Sequence, residues 1–227
     1  MYELSKTDPS LGERIHQILV DAKVETPMRK TEKAFSVQDG GSNERRLTGL
    51  FKEIWETMGL DLTDDSLQDT PKRMAKMFVN ELYYGLDYSL FPKCTVVQNK
   101  MRYDEFVTCS DIQVMSSCEH HGATIHGKAT ISYKPGEYVL GLSKFNRIVD
   151  FFCRRPQIQE RLTEQIYHAL KCILQTEDIA IKIEADHFCV KSRGAQDNSV
   201  TTTVRLGGVF LNPTARMEFL SAAYSRT

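Results

Sequence analysis

The stretch Ala123-Thr124-Ile125-His126-Gly127-Lys128-Ala129-Thr130-Ile131-Ser132-Tyr133 alternates apolar and polar side chains. Successive side chains of a strand point to opposite faces, which puts Ile125, Ala129, Ile131 and Tyr133 on one side and Thr124, His126, Lys128, Thr130 and Ser132 on the other. A Lys134-Pro135-Gly136 turn ends the run. Residues 106–115 make the natural antiparallel partner, joined to it by a loop that carries Cys118-Glu119-His120-His121.

Downstream, Phe145, Ile148, Val149 and Phe152 recur at helical spacing behind Ser143, a candidate N-cap. Pro156 ends that helix and is expected to start another that buries Ile158, Leu162, Ile166, Leu170 and Ile173. Two more strands are expected at 179–190 and 199–210, the second rich in threonine and valine. Upstream the texture is helical. Leu11, Ile15, Ile18 and Leu19 form one stripe, and Leu47, Leu50, Phe51, Ile54 and Met58 a second. A polar linker spans 30–43, ending in Asp39-Gly40-Gly41-Ser42. A third helix is expected from Thr70-Pro71, with threonine as cap and Met74, Met77, Phe78 and Leu82 on its buried face. The chain thus divides into an N-terminal helix and linker (1–45), a helical arm (46–105) and an α+β unit (106–227) of order strand-strand-helix-helix-strand-strand.

Composition narrows the function. With 227 residues, 41% hydrophobic side chains and a net charge of -1, the chain has an ordinary core and no basic surface for general nucleic-acid binding. No run is apolar and long enough to cross a membrane, and residues 1–19 carry charges in place of the apolar core of an export signal. Six cysteines scattered through such a chain predict free thiols and a cytoplasmic location.

Cys118 and His121 stand two residues apart, a spacing at which a tight turn can aim both at one ion. On the strand expected at 179–190, Ile181, Ile183, Ala185, His187 and Cys189 share a face that turns polar at its end. A Cys118/His121/Cys189 zinc site would hold three protein ligands and keep a fourth position open, as catalytic zinc does. His120 and His187 would then stand beside the metal, placed for proton transfer. Spacing equally allows one of those histidines to close a four-ligand structural site, or His187 to be a core histidine and Cys189 a buried thiol.

Ser143, Lys144 and Arg147 bring a hydroxyl and two cations to a helix start, where free N-H groups favour anions. Arg193 and Arg73 are further cations that the fold could gather there. A solvated basic face explains Lys144 and Arg147 as simply. Gln159-Glu160 falls in the first helical turn, where the helix dipole alone accounts for a carboxylate. Glu160 could also accept two hydrogen bonds from a purine with adjacent N-H donors, which guanine offers.

Taken together, Cys118-Glu119-His120-His121, Gly141-Leu142-Ser143-Lys144 with Arg147, Arg154-Arg155-Pro156-Gln157 leading to Gln159-Glu160-Arg161-Leu162-Thr163, and His187-Phe188-Cys189 with Arg193-Gly194 resemble the GTP cyclohydrolase I family from about residue 47 to 210. The resemblance implies a tunnelling fold with an antiparallel sheet. It implies a homodecamer of two stacked pentamers, with active sites between subunits and no nucleic-acid or membrane partner. The implied reaction opens the guanine imidazole ring of GTP and yields formate and 7,8-dihydroneopterin triphosphate, the first step of folate biosynthesis. Carried over by position, Cys118, His121 and Cys189 are zinc ligands, and His120 and His187 are proton-transfer residues. Gln159 and Glu160 bind guanine. Ser143, Lys144, Arg147, Arg193 and Arg73 hold the triphosphate. Gly122-Ala123 and His126 depart from the usual family residues, and the segment before Leu47 matches weakly. A non-catalytic zinc module would need a fourth ligand at ligand spacing. A related tunnelling-fold enzyme would lack part of the Cys-Glu-His-His and His-Phe-Cys set.

Overall fold

The alternating stretch forms the middle of the sheet. The computed structural model describes residues 4–28 and 35–224, so the start of the expected linker, including Lys30, lies outside the described residues. Helix α1 (Pro9–Asp21) is capped by Asp8, whose carboxylate accepts from the Leu11 N-H at 3.0 Å. Helices α2 (Ser42–Thr57) and α3 (Thr70–Met77) pair with each other, and α3 continues into a π-helical turn at Phe78–Leu82. The cap of α3 is Asp69, with Thr70 already helical; Pro71, Ala75 and Val79 are its most buried side chains, and the expected methionines are only half-buried.

Strand β1 (Val96–Gln98) leads to the long hairpin of β2 (Val107–Cys118) and β3 (Thr124–Tyr133). The ladder shifts register between Cys109 and Ile112, where Asp111 takes a left-handed φ of 57°. Such a bulge accommodates one extra residue and bends the strand. Strand β4 (Tyr138–Leu140) pairs with β1 as a separate ribbon. Helix α4 (Ser143–Cys153) follows, with Leu142 rather than Ser143 as its cap residue and no side-chain cap bond. Pro156 does not start a helix. Pro156–Gln157 form a two-residue strand β5, parallel to the end of β2 with Ser117 opposite Pro156 and Cys118 opposite Gln157. Helix α5 (Gln159–Leu174) begins only after Ile158.

Strand β6 (Ile179–His187) lies antiparallel to β3, and β7 (Val200–Leu206) antiparallel to β6, completing the order β5-β2-β3-β6-β7. Strand β6 stops two residues before Cys189, which sits on a single helical turn, α6 (Phe188–Lys191). Strand β7 also stops short of the expected end, and a helix that the periodicity did not disclose, α7 (Pro213–Tyr224), closes the described chain.

The core is a sandwich of α4 and α5 on one face of this α+β sheet. The four apolar positions of the central stretch are buried there with Ile181 and Ile183, against Phe145, Ile148, Val149, Leu162, Ile166 and Leu170. Each such isoleucine, leucine, valine or phenylalanine contributes about 2 kcal/mol by leaving water. Ile15 and Leu19 of α1 join the same core. Not all of the opposite face is wet: Thr130, Ser132 and Lys182 are buried, and Ala180, Leu206, Phe210, Ala215 and Phe219 form a second small core that involves α7.

Candidate active site

The end of the β2–β3 hairpin is drawn into a tight loop by two backbone bonds. The Cys118 N-H donates to the Ala123 carbonyl at 2.7 Å, and the Gly122 N-H to the Cys118 carbonyl at 2.9 Å. Gly122 has φ +65°, a left-handed value that costs glycine little. The short β5 extends the support, because the Glu119 N-H donates to the Gln157 carbonyl at 3.0 Å. Arg161 of α5 reaches the same loop, and its Nη1 donates to Glu119 Oε2 at 2.6 Å.

Antiparallel pairing sets His187 opposite Ile125, beside the end of this loop. The chain then turns through α6 and carries Cys189 back to Cys118. Ligand atoms of Cys118, His121 and Cys189 all lie within 4.8 Å of one another. No other trio of His, Cys, Asp or Glu converges in this way among the described residues. Burial, and then the adjacent Cys118 thiol, hold the Cys189 thiol above its ordinary pKa, while the Arg193 cation pulls the other way. Two cysteine sulfurs next to an imidazole nitrogen form a soft donor set suited to a cation. The residues present therefore fit a metal ion.

His120 and His187 lie outside the trio. His120 is exposed, with Nδ1 3.9 Å from Cys118 Sγ and Nε2 3.7 Å from Glu119 Oε1. His187 is half-buried, and its Nε2 is 2.8 Å from Gln159 Oε1. Burial lowers the His187 pKa below the usual histidine value, against the opposing pull of Glu160 and Asp186. Glu160 is exposed in the first turn of α5. Gln159, one residue earlier, is only 2% exposed and has both ends of its amide engaged by the protein.

Arg193 lies close enough to act on Cys189, but the other expected cations and Ser143 are not gathered there. Ser143, Lys144 and Arg147 open α4 at the opposite end of the sheet, where Phe145 packs on Tyr133 with ring centroids 5.7 Å apart. From Tyr133 to Ile125 the strand covers roughly 26 Å at about 3.3 Å per residue. Lys144 and Arg147 act electrostatically on Cys94, whose thiol burial pushes up to about 12. Arg73 projects from α3, 3.7 Å from Asp69 and largely exposed.

Two arginines to which the motifs gave no role are structurally prominent. Arg161 braces the metal loop. Arg155 is fully buried, its Nη1 donating to Glu25 Oε1 at 3.2 Å and to the Tyr88 hydroxyl at 2.9 Å, and its Nη2 to the Gly85 carbonyl. Its guanidinium lies about 5 Å from the ring centroids of Tyr88, Phe151 and Phe152. It thereby ties the segment after α1 to the turn that leads into β5. No local pattern marks either residue, since each partner comes from a different element.

A family model described as GTP cyclohydrolase I matches residues 47–224. GTP cyclohydrolase 1 of Yersinia pseudotuberculosis serotype O:1b is 51% identical over 213 residues, covering 93% of this chain and 94% of that protein. The enzyme of the same name from Klebsiella pneumoniae subsp. pneumoniae is 52% identical over 210 residues, with 92% and 93% covered. That of Aeromonas salmonicida is 53% identical over 205 residues, with 89% and 94% covered. Among solved structures, dihydroneopterin aldolase from Burkholderia thailendensis bound to guanine matches 48% of this chain and 97% of its own at 10% identity and a TM-score of 0.32, too loose a likeness to bear on the fold. By the extent of the family match and the identity to these relatives, the chain belongs to the GTP cyclohydrolase I family.

Proposed function

We propose that this chain is a zinc-dependent GTP cyclohydrolase I. It opens the imidazole ring of the guanine in GTP by hydrolysis, releases formate, and rearranges the remainder to 7,8-dihydroneopterin triphosphate as the first step of tetrahydrofolate biosynthesis. The observation that carries this reading is the convergence of Cys118, His121 and Cys189 beside His187, at a rim where Glu160 stands exposed.

Cys118, His121 and Cys189 hold the zinc. When bound, zinc acts as a Lewis acid and lowers the pKa of water to about 7. His187 exchanges a proton with the guanine ring nitrogen as the ring opens, one water being consumed there and a second in releasing formate, and one water is given back when the new ring closes on the rearranged ribose carbons. His120, exposed on the loop, serves the later ribose opening and rearrangement. The Glu160 carboxylate accepts from adjacent N-H groups of guanine, a pattern that adenine does not offer. Ser143, Lys144, Arg147, Arg193 and Arg73 bind the triphosphate.

Ser143, Lys144 and Arg147 lie too far from His187 in one chain to hold the same nucleotide, so they bind the triphosphate of a nucleotide whose guanine sits in a neighbouring subunit. The assembly is a homo-oligomer, a decamer of two pentamers by family resemblance. The six free cysteines suit a cytoplasmic enzyme. Incubation of zinc-loaded protein with GTP is expected to yield formate and, after oxidation, a fluorescent pterin. Absence of both from metal-replete protein overturns the reading.

A further inference from the structure

Gln159 shows which nitrogen of His187 carries the proton. Its amide nitrogen lies 3.1 Å from the Ile183 carbonyl and 3.0 Å from the Thr201 carbonyl. Carbonyl oxygens only accept, so the side-chain NH2 must face them. Flipping the amide would set its oxygen against both carbonyls, an arrangement with no hydrogen between three oxygens.

A third contact agrees. The same nitrogen is 3.2 Å from Thr203 Oγ1, which is 2.7 Å from Thr163 Oγ1. The Thr163 hydroxyl donates to the Gln159 main-chain carbonyl at 2.8 Å, so its single hydrogen is already used. Thr203 must then donate to Thr163 and accept from the Gln159 amide. The two amide hydrogens are shared among three acceptors, none of which could face the amide oxygen as well, and the Gln159 orientation follows from both sides.

With the NH2 committed, Oε1 is the atom that meets His187 Nε2 at 2.8 Å. An amide oxygen has no hydrogen to give, so the imidazole must donate. We infer that Gln159 is a positioning residue for His187: its amide oxygen holds the Nε2-H tautomer, so that His187 exchanges protons with the reactant through Nδ1. The assignment departs from a guanine contact by the Gln159 side chain, whose donors and acceptor are spent inside the protein. It also separates the two neighbours in sequence. Glu160 faces solvent where a base can reach it, and Gln159 points inward to β6 and β7.

The kinetic part of the test rests on the proposed cyclohydrolase activity; the spectroscopic part does not. Solid-state 15N NMR of histidine-labelled, zinc-loaded protein reads the tautomer directly, with the His187 signals assigned sequentially through Asp186 and Phe188. The expected result is a ring with its proton on Nε2 donated to Gln159, and a ring with its single proton on Nδ1 instead overturns the inference. This measurement needs neither turnover nor a variant.

In the second arm, Gln159→Met keeps the length of the side chain and removes the amide. kcat for GTP is expected to fall roughly 10- to 100-fold, as for loss of a group that orients an active-site histidine. KM, and the Kd of an unreactive GTP analogue, should change by less than a factor of about three, because no ground-state contact is lost. Loss of analogue affinity matching the loss in kcat/KM would assign Gln159 to the base and refute the positioning role. If wild-type protein fails to turn over GTP, the functional reading falls and the tautomer remains decided by NMR.

Discussion

At the scale of single residues, charge placement around the metal loop makes the sharpest claims. Glu119 sits between Cys118 and His120, and Arg161 holds it at 2.6 Å with both side chains mostly shielded from water. Loosening that pair should loosen the loop. Arg161→Ala is expected to weaken zinc binding by about 10- to 100-fold, as measured by competition with a chromophoric chelator. Arg161→Lys, which keeps the charge but loses the planar fork, should fall between. A second claim concerns Cys153, fully inside the core, whose thiol burial pushes from 9.0 up to about 12. Its folded pKa is raised, so its contribution is complete below the unfolded pKa and is lost as pH rises from about 9 towards 12. Urea midpoints should therefore drop across that range, and less steeply in Cys153→Ala. Of the site residues, Cys118 and His121 are legible from their spacing. Cys189 is legible as a member of the converging trio but not in its place, since the alternating pattern extends β6 through a residue that in fact lies on a helical turn. The Glu119 and Arg161 pair is illegible, because only the docking of α5 against the hairpin brings the two together.

At the scale of elements, the sequence discloses structure wherever burial is one-sided. The alternation in β3 and the helical spacing in α1, α4 and α5 each reflect one face meeting the core. Strand β5 escapes such reading, because two residues carry no period and its existence depends on the end of β2 lying alongside. Helix α7 escapes too. Its buried Ala215 and Phe219 are interleaved with exposed Thr214, Arg216, Met217 and Glu218, and Pro213 follows a strand-like run. Cap positions shift by one residue at α3 and α4 because loop geometry, and not side-chain type alone, decides which residue leaves the helix. A tight junction between elements lies at Gly127, where an added Cβ would lie 2.1 Å from the Glu184 carbonyl oxygen and 2.6 Å from Ala185 Cβ. Gly127→Ala must part β3 from β6. It is expected to cost about 1–3 kcal/mol in urea titration, the range of an overpacked core.

At the scale of the whole molecule, one chain does not account for all its own surface. Leu50, Ile54 and Met58 line one side of α2 and are 46%, 51% and 66% exposed, although the sequence reads them as a buried stripe. The cations at the start of α4 likewise stand a strand's length from the metal ligands. A site shared between subunits predicts complementation. Cys118→Ser and Lys144→Ala, each inactive alone, should regain roughly a quarter of wild-type activity when co-expressed in equal amounts, because about one site in four then pairs two intact halves. No recovery in confirmed mixed oligomers would place both halves in one subunit.

The proposed metal ligands also impose an order in time. Cys118 and His121 belong to a local hairpin, but Cys189 arrives only after α4 and α5 have been made and β6 has paired with β3. Long-range pairings of this kind form after local ones, and synthesis runs from the N-terminus. A nascent chain on the ribosome therefore offers two ligands and cannot complete the trio. A metal that needs all three would be committed only to subunits whose sheet is finished, and not to chains that stall or misfold.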